Sequence, residues 1–117
     1  MTNQIHANNL ELTPALEARI NKEIDKMNQK LIHDKGTARV VVTLQVEHGK
    51  HLCEVVVFMP KREFIKTSSS DDMYQSIGSS FSRVTKAIQK HKERMEDKRH
   101  EFIKEVSEPV EDNDETI

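Results

Sequence analysis

Between residues 39 and 59 apolar side chains recur at every second position, while on both sides of that stretch they recur at every third or fourth. A period of two lays one face of a strand on a core, and a period near 3.6 lays one stripe of a helix there. The chain must therefore combine a sheet with flanking helices.

Val40, Val42, Leu44 and Val46 share one side of the first run, and Val41, Thr43, Gln45 and Glu47 the other. From Leu52 to Met59 the apolar face is Cys53, Val55, Val57 and Met59, with Glu54 marking the opposite side. Gly49-Lys50 between them predicts a two-residue II′ turn with Gly first, so residues 39–59 read as a β-hairpin.

Thr13-Pro14 is a helix start with a mechanism: a hydroxyl for free N–H groups, then a ring whose fixed φ suits the first helical position. Leu16, Ile20, Ile24, Met27 and Leu31 trace one stripe, predicting a helix from about Pro14 to Leu31 that ends before Gly36. A second stripe runs through Met73, Ile77, Phe81, Val84 and Ile88. Ser70 or Asp71 is the expected cap there, Asp72 falls in the first turn, and the helix should reach Arg94 or beyond.

Ile5 and Ala7 alternate with polar neighbours as a short first strand before a turn at Asn8-Asn9, and Phe64-Ile65-Lys66-Thr67 follows the turn at residues 60–63 as a short edge strand. The order is β-α-β-β-β-α. Two stripes and one apolar sheet face predict a two-layer α+β domain: a four-stranded mixed sheet with both helices packed on one face. The first strand-helix-strand unit should cross over right-handed.

A length of 117 residues allows one core, taken here as residues 1–100. Residues 101–117 set Lys104 against seven acids and lack an apolar stripe, which predicts a disordered acidic tail. Residues 1–100 hold 17 Lys/Arg against 13 Asp/Glu, so a mildly basic body carries that tail. No apolar run approaches the roughly 20 residues of a membrane span, and the start at Met1-Thr2-Asn3-Gln4 is unlike a secretory signal. A cytoplasmic protein without a membrane partner is expected. Cys53, the single cysteine, lies in a valine-rich strand and reads as a small buried hydrophobe.

Arg19, Lys22, Lys26 and Lys30 follow at steps of three and four on the first helix, away from its apolar stripe. Arg83, Lys86, Lys90 and Arg94 do the same on the second. Two such rows on neighbouring helices form a patch suited to polynucleotide phosphate. The plainer reading is two solvated faces, with Glu23, Asp25 and Glu93 pairing some of the cations for tenths of a kcal/mol.

Other motifs read as structural. His48-x-x-His51 brackets the hairpin turn with no further ligand in reach, so no metal site is expected. Ser68 to Asp72 lacks a glycine-rich cradle and reads as capping and turn chemistry. Tyr74 is a lone aromatic expected partly buried beside the sheet, and Lys92, His91 and His100 add at most positive charge at the C-terminal end of the second helix. No nucleophile or acid–base constellation is present, which argues against an enzyme, a cofactor or a small-molecule substrate.

Asp71-Asp72-Met73-Tyr74 opening a helix, Ile77 and the basic series Arg83, Lys86 and Lys90 resemble the ribosome hibernation promoting factors, a family that includes ribosome-associated inhibitor A and the light-repressed proteins. Asn9-Leu10-Glu11-Leu12-Thr13 and Val57-Phe58-Met59-Pro60 are similar to family segments too, so the resemblance covers about residues 4–95. It implies a fold like that of double-stranded-RNA-binding domains. It also implies a protein that is a monomer off the ribosome and docks in the small-subunit channel for messenger and transfer RNA during stationary phase or stress, with rRNA contacts at Lys22, Lys26, Arg83, Lys86 and Lys90.

Two departures stand out: Gly78-Ser79-Ser80 occupies a place where relatives often carry bulky or charged residues, and the C-terminus is acidic. Gly78 predicts a locally soft second helix. The acidic segment resembles that of ribosome-associated inhibitor A and leaves promotion or suppression of ribosome pairing open. The competing expectation is a protein-interaction regulator, whose tail or sheet edge binds a basic protein or modulates an alternative sigma factor.

Overall fold

The computed structural model describes residues 2–31, 39–60 and 62–104, with side chains over 3–30, 39–60 and 62–94. The expectations for the Leu31 side chain, Gly36, the His100 side chain and the segment from residue 105 onward lie outside it. The elements are β1 (Thr2–Asn8), α1 (Pro14–Leu31), β2 (Arg39–Glu47), β3 (Lys50–Met59), β4 (Arg62–Ser70) and α2 (Met73–Lys104). The β-α-β-β-β-α order is as the sequence predicts. β4 is nine residues long, against the four expected, because it pairs with β3 from Met59↔Arg62 to His51↔Ser70. α2 continues to Lys104, four residues into the segment read as tail.

The sheet order is β1-β2-β3-β4, parallel between β1 and β2 and antiparallel thereafter, so it is mixed. Its inner face carries Val40, Val42 and Leu44 of β2, Cys53, Val55 and Val57 of β3, and Phe64 of β4, all buried. Leu16, Ile20, Ile24 and Met27 of α1 and Met73, Ile77, Phe81, Val84 and Ile88 of α2 complete one core cluster with them. Apart from Phe64, whose face the sequence left unassigned, each of these positions is one the period assigns, while Val46 and Met59 on the same faces are only partly buried. Burying a Leu, Ile or Phe side chain is worth roughly 1.5–3 kcal/mol, so the two stripes hold both helices on the same face.

The helix starts differ in detail. At α1 the expected cap forms, with the Leu16 N–H donating to Thr13 Oγ1 at 3.2 Å. At α2 the cap is Asp72 rather than Ser70 or Asp71: the Tyr74 N–H donates to Asp72 Oδ1 at 3.2 Å. Ser70 acts two residues back, its hydroxyl donating to the Asp72 carbonyl at 2.7 Å and accepting from the Asp72 N–H at 3.3 Å. Tyr74 is 38% exposed and so only partly covered, because Met73 takes the inward position at that end and the next residue turns about 100° away.

The hairpin turn is also corrected. Glu47 pairs with Lys50, so the loop is His48-Gly49, and both residues have positive φ, 52° and 78°. That pair of angles belongs to a type I′ turn, which needs positive φ at both positions, rather than to type II′. His is among the residues that tolerate the left-handed region, which lets His48 stand where Asn is commoner.

α2 sits close over β3 and β4 through small polar residues. Ser76 donates to the His51 carbonyl and Ser80 to the Cys53 carbonyl, each at 2.6 Å, while Ser68 donates to Ser79 Oγ at 3.0 Å. Ser76 and Ser80 are fully buried, and these bonds satisfy hydroxyls that would otherwise be costly inside a core. Cys53 lies beneath them, and burial pushes its thiol up to about 12. It is the inert hydrophobe expected.

Candidate nucleic-acid interface

α1 and α2 lie side by side, and a groove of about 390 Å³ runs between them. α1 contributes Arg19, Glu23, Lys26 and Lys30, which recur every three or four residues and so form one flank of that helix, together with Met27 at its inner edge. From α2 come Gly78, Phe81, Ser82, Thr85, Lys86 and Gln89. Met27 and Phe81 are core residues and form the apolar floor; the rim is cationic on the α1 side and largely neutral and polar on the α2 side.

The two predicted rows therefore do not meet as rows. Arg19, Lys26 and Lys30 line the groove opposite Lys86. Lys22 and Lys90 are exposed outside it, because each sits about 40–60° further round its helix than the lining residues. Arg83 turns the other way: its Nη1 donates to the Thr67 carbonyl at 2.7 Å and to Ser68 Oγ at 3.4 Å, on the β4 side of α2. Arg94 is exposed beyond the groove.

One carboxylate enters the lining. Arg19 Nε donates to Glu23 Oε2 at 3.0 Å, one helical turn away, which fixes the direction of the guanidinium. Its Nη2 then reaches α2 at Gly78, where a Cβ would stand only 2.8 Å from it. Residue 78 is thus kept side-chain-free by Arg19, a role that a view of α2 alone does not reveal. Gly78, Ser82, Thr85 and Gln89 are groove residues that sequence reasoning missed; their spacing of four, three and four was the available signal.

What this arrangement offers is a narrow slot with three cations on one lip and one on the other. Ammonium and guanidinium donors above an apolar floor suit a polyanion backbone, and Ser82, Thr85 and Gln89 add neutral hydrogen-bonding groups. Among the described residues no group of three or more His, Cys, Asp or Glu is placed to hold a metal.

The signature described as sigma 54 modulation protein / S30EA ribosomal protein matches residues 3–96, the sheet and most of both helices. The chain belongs to that family. Within the sigma 54 modulation protein / S30EA ribosomal protein family, it is 26% identical over 98 residues to a ribosome hibernation promoting factor of Acinetobacter guillouiae, covering 75% of this chain and 84% of the relative. Its fold is similar to the crystal structure of the Thermus thermophilus Protein Y N-terminal domain, with a TM-score of 0.69 at 20% identity over 78% of this chain and 99% of that one. A ribosomal subunit interface protein from Coxiella burnetii is similar with a TM-score of 0.68 at 17% identity, over 79% of this chain and 98% of that one. At these identities the two structures bear on the fold alone: the same α+β architecture. The resemblance read from Asp71-Asp72-Met73-Tyr74 and the basic series points to the same family.

Proposed function

We propose that the chain is a non-enzymatic ribosome hibernation factor that binds the small ribosomal subunit through rRNA, in the channel for messenger and transfer RNA, and silences translation in stationary phase or stress. The observation that carries this reading is the convergence of Arg19, Lys26, Lys30 and Lys86 on one interhelical groove in a chain of this family. Lys22 and Lys90 extend the surface along the outer sides of the two helices, and Arg83 and Arg94 carry it past α2. In this reading the protein is cytoplasmic, works without a cofactor and is a monomer off the ribosome.

Phosphate contacts make binding salt-dependent because bound counterions are released. With about six phosphates engaged, the log–log slope of affinity against salt should be roughly −4 to −5. Co-sedimentation with isolated small subunits in rising salt measures it. The double substitution Lys26→Gln/Lys86→Gln should weaken attachment and flatten the slope; salt-insensitive binding would reject the mechanism. Sucrose-gradient profiles of stationary-phase ribosomes with and without the protein test the cellular role. The competing reading is a protein regulator that binds its partner through residues 101–117 or the sheet edge. Removing residues 101–117 should leave subunit binding intact if the groove acts, and abolish partner binding if the tail does.

A further inference from the structure

The β4 side of α2 carries a second gathering of positive groups that the groove does not use. Phe64 of β4 is buried and forms its base. The Arg62 guanidinium lies 5.0 Å from the centre of the Phe64 ring, and His91 of α2 meets the same ring edge-on, with centroids 5.6 Å apart and planes at 63°. Arg94 follows His91 on α2 by three residues, less than one helical turn.

His91 senses both arginines. Desolvation, then the charges of Arg62 and Arg94, hold the His91 imidazole below its ordinary pKa. Among the described residues neither arginine has a carboxylate within ion-pair distance. Glu63 stands on the opposite face of β4 by strand alternation, and Glu93 is about 200° round the helix from His91. Lys66, two residues along β4 on the inner side, adds charge of the same sign, as does Arg83 where it clasps the Thr67 carbonyl. Like charges held together on an aromatic base, with no counter-ion among the described residues, lower their energy by taking up an anion.

This face is distinct from the groove. Ser82, which lines the groove, and His91 are nine residues apart, about 900°, hence roughly half a turn round α2. We propose that Arg62, His91 and Arg94, seated on Phe64, form a second site for an RNA phosphodiester, so that rRNA is gripped on both flanks of α2. The proposal rests on the reading of the groove as an RNA surface and extends it to β4. Arginine suits the task because its planar fork presents paired donors to phosphate oxygens, and a phosphate beside His91 favours the imidazolium.

That last relation has a sign. Free His91 titrates below its ordinary value, and a neighbouring phosphate raises it, so the bound state takes up a proton that the free protein lacks. Affinity then rises as pH falls through the bound-state value. The groups facing His91 are Phe64 and Arg62 from β4 and Arg94 from its own helix, so the phosphate itself supplies the reversal.

The test compares full-length Arg62→Gln/Arg94→Gln, His91→Gln and Lys26→Gln/Lys86→Gln with the wild type, each checked for an unchanged thermal transition, in co-sedimentation with isolated small subunits. Losing two phosphate contacts should weaken binding about tenfold or more and reduce the salt slope by roughly 1.5 to 2. Wild-type binding should tighten severalfold between pH 7.5 and pH 6.0, and His91→Gln should lack that gain. If Arg62→Gln/Arg94→Gln binds with wild-type affinity and slope while the groove variant is weakened, the second site is wrong and the groove reading stands. If neither double variant weakens binding, both readings fall. A pH gain retained in His91→Gln also overturns the proposal.

Discussion

The guanidinium of Arg19 on α1 is seated against the backbone of Gly78 on α2, so close that a Cβ at residue 78 would lie 2.8 Å from Nη2. A glycine inside a helix costs about 1 kcal/mol relative to alanine, and here the missing side chain makes room for a groove cation. The obstructing atom is the end of a flexible side chain, so an added methyl displaces the arginine rather than the helices.

Gly78→Ala should therefore separate stability from binding. The thermal transition should rise or stay level, because the helix gains up to about 1 kcal/mol. Binding to small subunits should weaken severalfold as the Arg19 head is pushed out of the groove. Paired calorimetry and co-sedimentation check it; weaker folding with unchanged binding would refute the role given to Gly78.

Glu23→Gln should act in the opposite direction on binding. Glu23 neutralises part of the groove by accepting from Arg19 Nε at 3.0 Å, and Gln keeps an acceptor while removing the charge. Polyanion affinity should rise a few-fold at low salt with a steeper salt slope, at a stability cost of about 0.3–0.5 kcal/mol for a helix pair of this spacing. A salt titration of subunit binding reads both.

Gly49→Ala provides the contrast with Gly78. Nothing lies within 4 Å of a Cβ at residue 49, yet its φ is +78°. The whole penalty is backbone strain, about 1–2 kcal/mol for an L-residue in the left-handed region. Urea denaturation should show that loss with no change in ribosome affinity, since the hairpin turn is not part of the groove lining.

Cys53 should be silent to alkylation in the folded protein at pH 8 and reactive once urea unfolds it. Its thiol is pushed up from 9.0 to about 12, chiefly by burial. A folded-state value raised above the unfolded one favours the neutral thiol in the fold. The resulting stability is intact below pH 9 and lost as pH climbs from 9 toward 12. Cys53→Ala should remove that alkaline component, measured as the midpoint of urea unfolding at pH 8 and pH 10.5, at the cost of some packing.

Legibility in the sequence followed the range of the forces. The stripes Leu16-Ile20-Ile24-Met27 and Met73-Ile77-Phe81-Val84-Ile88 were readable because helical geometry and burial act within a few turns. The expected edge strand stopped at Thr67, whereas β4 extends through Ser68, Ser69 and Ser70, serines with low strand preference that pair because β3 is already in place. The cap moved to Asp72 for a related reason: that longer strand uses up Ser70. The turn is type I′ rather than the expected II′ because the register Glu47↔Lys50, set by the facing valines, places His48 in the loop.

The cations divide the same way. Sequence alone determined that Arg19, Lys22, Lys26 and Lys30, like Arg83, Lys86, Lys90 and Arg94, stand off the buried stripes, because position on a helix fixes azimuth about its own axis. Only the tertiary structure decided that Arg19, Lys26, Lys30 and Lys86 share a groove, that Arg83 clasps β4, and that Gly78 is empty for Arg19. Azimuth relative to a neighbour depends on how both helices settle on the sheet. That placement is set by packing among residues far apart in the chain, which no local period records.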